Sequence, residues 1–146
     1  MRRFVLLAAL LAVSTVGCSQ GADQVLSTPT IVPPTTVETF SGTLAPRTST
    51  SATTSTHPFT VSLTSEVEVT LTSIGPPADV QVGLGIGLPS GVGCVLTLGE
   101  GTFATVQASS TPQIKGTAVP GNLCVTVYDV GNLTQTVSYV VTVAHS

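Results

Sequence analysis

The chain has 146 residues, of which 42% are hydrophobic and only 8% charged, enough for one domain with a core of its own. Trp is absent and Thr, Val, Ser and Gly dominate, a mixture that disfavours helices and suits many short strands joined by Gly/Pro turns. Beyond Arg2 and Arg3, seven acidic residues stand against Arg47 and Lys115 alone, a formal charge of −5 that excludes a nucleic-acid-binding surface.

Residues 1–17 have the three parts of a secretory signal: cations at Arg2 and Arg3, an apolar run from Phe4 to Val13, then small residues. As a helix the apolar run rises about 15 Å, roughly half the hydrocarbon thickness, so it predicts a removable leader rather than a spanning anchor. Thr15-Val16-Gly17-Cys18 closes it and resembles the lipobox of bacterial lipoproteins, with Thr15 where Leu is usual. That resemblance implies a lipid on the Cys18 thiol, cleavage just before it, and a membrane partner reached through the lipid. Ser19 after the lipidated residue resembles the outer-membrane sorting pattern, should the envelope have two membranes. The expected location is therefore the bacterial cell envelope, outside the cytoplasm.

Residues 18–36 follow as a linker, with Pro29, Pro33 and Pro34 and no periodicity. A proline-rich segment favours extended polyproline II, and roughly 17 residues at about 3.1 Å each hold a domain up to ~50 Å from the lipid. A second low-complexity run, Thr48 to Thr56, reads as a solvated loop between strands.

The domain proper is expected over residues 37–146. VETFSGTLAP supplies a first strand ending at Pro46. Phe59, Val61 and Leu63 alternate with polar residues, and the pattern resumes at Val67, Val69 and Leu71; the shared parity fits a hairpin with a three-residue loop, with two strands in opposite sheets as the alternative. Ile74-Gly75-Pro76-Pro77 breaks the run. Val80, Val82, Leu84, Ile86 and Leu88 then alternate with Gln81, Gly83, Gly85 and Gly87, leaving one face nearly bare and open to close backbone approach. Shorter strands are expected around Cys94–Leu98, Phe103–Val106 and Ile114–Val119. From Gly121 to Ser146 two alternating runs flank Gly131-Asn132 and predict a β-hairpin. The total is about eight or nine strands at the spacing of an all-β, antiparallel β-sandwich.

The order FTVSLTSEVEVTLTS, ADVQVGLGIGLPSGVGC and GNLCVTVYDVGNLTQTVSYVVTV is similar to bacterial pre-peptidase C-terminal domains. In that family a late G-x-x-x-V-x-V-Y strand precedes the closing strand; Gly121, Val125, Val127 and Tyr128 occupy it here, and Asp79 stands near the middle strand. The resemblance covers roughly Val37 to His145. It implies a jelly-roll-like sandwich in an exported or surface protein. The module usually accompanies a catalytic domain, whereas here it stands behind a lipid signal.

Cys94 and Cys124 are the remaining thiols, and in an exported chain they are expected to pair. Closing a loop of about 30 residues stabilises a fold by roughly 3–4 kcal/mol on the chain-entropy model. No catalytic constellation is expected. Ser90 misses the G-x-S-x-G elbow by one residue and has no following helix, while His57 and His145 would need to meet it together with a buried Asp. Some collagen-binding relatives of the resembled module hold calcium near the domain's start. The nearest approach to its oxygen ligands here is Asp79, Glu100 and Asp129, scattered at turns and strand ends, where solubility and edge protection are the expected roles alongside Glu66 and Glu68. No metal and no cofactor are expected. The Asn132-Leu133-Thr134 sequon reads as part of a turn.

These residues support a non-enzymatic, lipid-anchored envelope protein whose sandwich contacts another envelope or extracellular protein or plays a structural part. The alternative is a carbohydrate-binding module. Sugar platforms need exposed aromatics, and Tyr128 and Tyr139 are the candidate ligand-binding residues, packing within the strands being their other possible role.

Overall fold

A computed structural model describes residues 35–48, 53–96 and 101–146, and these form nine strands and no helix. The expected signal, Cys18, the linker up to Pro34 and Glu100 lie outside the described residues. In chain order the strands are β1 (Thr36–Leu44), β2 (Thr54–Val61), β3 (Ser65–Gly75), β4 (Val82–Ser90), β5 (Gly93–Leu96), β6 (Phe103–Val106), β7 (Ile114–Ala118), β8 (Gly121–Tyr128) and β9 (Val137–His145). They build two antiparallel sheets packed face to face, a β-sandwich. One runs β1-β9-β3-β7; the other runs β2-β8-β4, with β5 and β6 both paired to β4.

The two-residue period of the sequence becomes the sandwich core. Val67, Val69 and Leu71 of β3, Val141 and Val143 of β9, Val82 and Leu84 of β4, and Val125 and Val127 of β8 all point inward and are at most 2% exposed. Each such side chain contributes on the order of 1.5–3 kcal/mol through burial.

The structure corrects one expectation. Gly121–Ser146 is not a hairpin: β8 pairs β2 and β4, while β9 pairs β1 and β3 in the other sheet. Alternation alone cannot distinguish the two arrangements, because a strand facing its neighbour across the core shows the same parity as one beside it. The connection decides. Asp129 Oδ1 accepts the backbone N–H groups of Gly131, Asn132 and Leu133, curling the chain as it leaves β8. Leu133 is then buried in the core, so the segment fills the end of the sandwich instead of turning within one sheet.

The same crossing recurs at β2 and β3, settling the two alternatives in favour of opposite sheets. There the N–H groups of Ser62 and Leu63 donate to the carbonyl of Ser146, at 3.0 and 3.2 Å, tying the crossing to the end of β9. At the far end of β3 the register slips between Leu71 and Ser73. Gln113 covers that position, its Oε1 accepting from Leu71 N at 2.8 Å.

Candidate functional site

Charge is divided unequally between the two sheets. β2, β8, β4, β5 and β6 contain no Asp, Glu, Lys or Arg, whereas the four-stranded sheet carries Glu38, Glu66, Glu68 and Lys115. Glu68 and Lys115 are cross-strand partners and form an exposed ion pair. The hydrogen bond between them lowers the Glu68 pKa and raises that of Lys115. The strands of the neutral sheet therefore present hydroxyls and apolar surface rather than charge.

The glycine face of β4 shapes that surface. The Tyr128 ring lies over Gly83, its cross-strand partner, so closely that a Cβ on Gly83 would meet it at 2.1 Å. Leu96 sits over Gly85, and the backbone of Val95 crosses Gly87 with its carbonyl oxygen 2.1 Å from where a Cβ would stand. Close backbone approach, expected from the bare alternation, is thus found at Gly87, where β5 curls across the sheet. The crossing brings Cys94 of β5 within 5.9 Å of Cys124 of β8, Cα to Cα, although β4 lies between the two strands in the pairing order. Their sulfurs stand at disulfide distance, 2.04 Å.

Beside the bridge is an open cleft of about 330 Å³ lined by Thr54, Thr56, Thr126, Tyr128, Cys94 and Leu96. Thr56 and Thr126 are register partners whose hydroxyls lie 3.5 Å apart, and Thr126 Oγ1 donates to the Ser55 carbonyl at 3.2 Å. Leu88 of β4, Val92 of the β4–β5 turn, Val95 of β5 and Phe103 of β6 are at least half exposed.

The two tyrosines have separate fates. Tyr128 lies on the outer face. Tyr139 is 1% exposed, inside the sandwich, where its hydroxyl donates to Ser55 Oγ at 2.5 Å and lies 2.7 Å from His57 Nε2. It offers no surface platform. Gly42 on the neighbouring β1 makes room for it, since a Cβ there would stand 2.5 Å from the hydroxyl. Burial raises the Tyr139 pKa, partly countered by the bond to Ser55, and burial lowers that of His57. The His57 ring stacks on Phe40, with centroids 4.9 Å apart. His145 Nε2 lies 2.9 Å from Glu38 Oε1, and Ser90 ends β4, paired with Gly93 of β5. Each of the three polar residues weighed for catalysis therefore has a separate setting.

Asp129 has both carboxylate oxygens occupied: Oδ2 accepts from Arg47 N at 2.7 Å, and Oδ1 takes the three N–H groups of its own turn. Burial alone would raise its pKa, but these four bonds hold it below the usual carboxylate value. Its role is to knit the β1–β2 and β8–β9 connections. Among the described residues no three His, Cys, Asp or Glu side chains converge on a metal-sized site. Asp79 is met through its main-chain carbonyl, which accepts from Gln107 Nε2 at 2.7 Å. Asn132 lies in the exposed turn after Gly131.

No known protein family, curated protein or solved structure matches the chain. The likeness to pre-peptidase C-terminal domains rests on the quoted residues alone. Sequence reasoning had not separated the charged from the neutral sheet, though part of the signal was available: sorting Asp, Glu, Lys and Arg by strand leaves six of nine strands without one, five of them in one sheet. The Ser55–Tyr139–His57 group was missed for another reason, since its members come together only when β2 and β9 face each other across the core.

Proposed function

We propose that the protein is an exported, lipid-anchored binding module, held to the cell envelope through Cys18 and engaging another envelope or extracellular protein with the outer face of its five-stranded sheet. The observation that carries this reading is the neutrality of that sheet together with the exposed Leu88, Val92, Val95 and Phe103 on and beside it. Protein contact surfaces are depleted of charge at their centres and enriched in apolar and aromatic side chains. The anchor is supported by the lipobox-like residues before Cys18 and by the Cys94–Cys124 pair, which suits an oxidising compartment.

Two measurements test it. The protein should partition with membranes, and Cys18→Ala should release it; equal solubility of both forms removes the anchor. A photo-crosslinking residue at Val95 should give a discrete adduct in intact cells, whereas one at Glu66 on the opposite sheet should not. Adducts of equal yield from both positions reject the proposed face.

Carbohydrate binding is the second reading, favoured by one feature, the Tyr128 ring beside the hydroxyls of Thr54 and Thr56. A ring edged by hydroxyls can stack on a sugar face while the hydroxyls meet its polar rim. A glycan array with the wild-type domain and Tyr128→Ala decides it. No binding, or binding untouched by the substitution, removes this reading.

A further inference from the structure

We propose that the edge of β1 that no other described strand pairs docks a second copy of this chain, the two β1 strands pairing antiparallel about Phe40 so that one sheet continues through both molecules. Every open sheet has edges whose backbone N–H and C=O groups can template another strand, and proteins blunt them with proline, charge, bulges or shortness. Three of the edges here are blunted. β2 carries Pro58, which has no N–H to offer. β7 has five residues, one of them Lys115, and β5 and β6 have four each.

β1 has no proline, no bulge and no shortness, and its one charge, Glu38, is held by His145. It spans nine residues, TVETFSGTL, matched to β9 from Thr36 to Leu44 without a register shift. It contains neither proline nor lysine. Among the described residues its backbone pairs with β9 alone.

The strand's sequence favours a second copy as the occupant. Pairing about Phe40 sets Thr39 against Ser41, Val37 against Thr43 and Thr36 against Leu44, and Phe40 meets its own counterpart on the two-fold axis. Thr–Ser pairs directly opposed on an antiparallel ladder are favourable, and like charges there are not. The one charged residue of β1, Glu38, faces Gly42 of the second copy and is already bonded to His145, so no like charges are opposed. The inner side of the seam adds an apolar contribution: Phe40 and His57, stacked and each partly exposed in a single copy, become covered. Two copies of one patch meeting about a two-fold axis form a closed dimer that uses up both β1 edges and leaves only the short β7 edges at its ends.

The test uses the full chain carrying Cys18→Ala, so that neither lipid nor a third thiol interferes. Sedimentation velocity over a concentration series should show a dimer that dissociates on dilution. Thr39→Lys/Ser41→Lys alters two exposed positions and sets ammonium groups opposite one another, weakening the dimer roughly tenfold or more with unchanged circular dichroism. Register is read by oxidation: chains bearing Thr39→Cys mixed with chains bearing Ser41→Cys should form a linked heterodimer, and Thr39→Cys chains alone should not. A monomer at every concentration, a dimer indifferent to the lysines, or equal linking by Thr39→Cys alone overturns the proposal. A monomer whose outward β1 amides resist exchange likewise overturns it, and assigns the edge to another segment of the same chain.

Discussion

A methyl group added at Gly87 tests how β5 is held across the neutral sheet. In Gly87→Ala the new carbon would stand 2.1 Å from the Val95 carbonyl oxygen, 2.7 Å from its carbonyl carbon and 3.0 Å from Leu96 Cα. All three are backbone atoms, so no side-chain rotation relieves the clash. Restoring contacts of about 3.5 Å requires β5 to lift by more than an ångström. Gly87 is also the register partner of Leu96 on one side and Cys124 on the other, so β4 cannot simply retreat.

Overpacking of this kind costs roughly 1–3 kcal/mol, and the loss of glycine's unfolded-state freedom returns about 0.4–1, leaving a net destabilisation of about 1–2 kcal/mol. The Cys94–Cys124 bridge pins the strand that must move. In Cys94→Ser/Cys124→Ser, β5 can swing outward, and the cost of the added methyl should fall by about half or more, a coupling within the range seen for touching residues. Urea denaturation of the four variants of this cycle measures both quantities. Gly116→Ala on β7, where a Cβ would meet nothing within 4 Å, serves as the control and should be neutral or slightly stabilising. If Gly87→Ala is as harmless as Gly116→Ala, or costs the same with and without the bridge, the account of the crossing is wrong.

Four further outcomes are expected. Tyr139→Phe keeps the ring but strips His57 and Ser55 of their partner, and should cost about 1–2 kcal/mol in urea denaturation. Because burial lowers the His57 pKa below 6.5, the unfolded chain takes up the proton first. Stability from this residue is thus complete above about pH 6.5 and declines as the pH falls below it, a slope that His57→Gln should remove from a pH series of thermal melts. Asp129→Asn turns an amide N–H₂ toward one of the four N–H donors and should destabilise by about 1–3 kcal/mol at neutral pH. Its folded-state pKa is depressed, so the wild-type advantage should be present above about pH 4 and vanish as acid protonates the folded carboxylate; a constant difference down to pH 2 would contradict the turn's dependence on charge. Finally, after unfolding without reductant, a chain oxidised as described should show neither Cys94 nor Cys124 as a free thiol, and two reactive thiols in a titration would separate β5 from β8.

Much of the architecture was legible because a half-buried strand writes its burial into alternate positions. Val67, Val69 and Leu71, or Val141 and Val143, could be assigned to a buried face from spacing alone, and the glycine alternation of β4 correctly announced close approach. Strand partners were not legible. Parity is blind to whether the next strand lies beside or across, and at β8 and β9 the turn residues Gly131-Asn132 suggested a hairpin. What sends β9 to the other sheet is the cradle of N–H groups around Asp129 and the burial of Leu133, both products of tertiary structure. Tyr128 and Tyr139 occupy similar alternating runs, yet one covers a glycine outside and the other fills the interior. Their difference follows from parity: Tyr128 alternates with the inward Val125 and Val127, whereas Tyr139 shares the face of Val137, Val141 and Val143.

The division of charge bears on which face a partner would cover. Removing an ion from water costs several kcal/mol unless it is matched, so docking against the four-stranded sheet would require a partner that pairs Glu66 or leaves the Glu68–Lys115 pair hydrated. Docking against the five-stranded sheet meets no ion on its strands. There the polar cost falls on hydroxyls such as those of Thr54 and Thr56, each about 1–3 kcal/mol if left unbonded and nothing if the partner or a trapped water bonds it. Apolar gain accrues on the same sheet and the turn joining β4 to β5, from Leu88, Val95, Val92 and Phe103. A substitution that introduces charge without altering shape, Thr54→Asp at an exposed position, should therefore leave the fold intact and reduce crosslinking from Val95, whereas Glu66→Gln on the other sheet should leave that adduct unchanged.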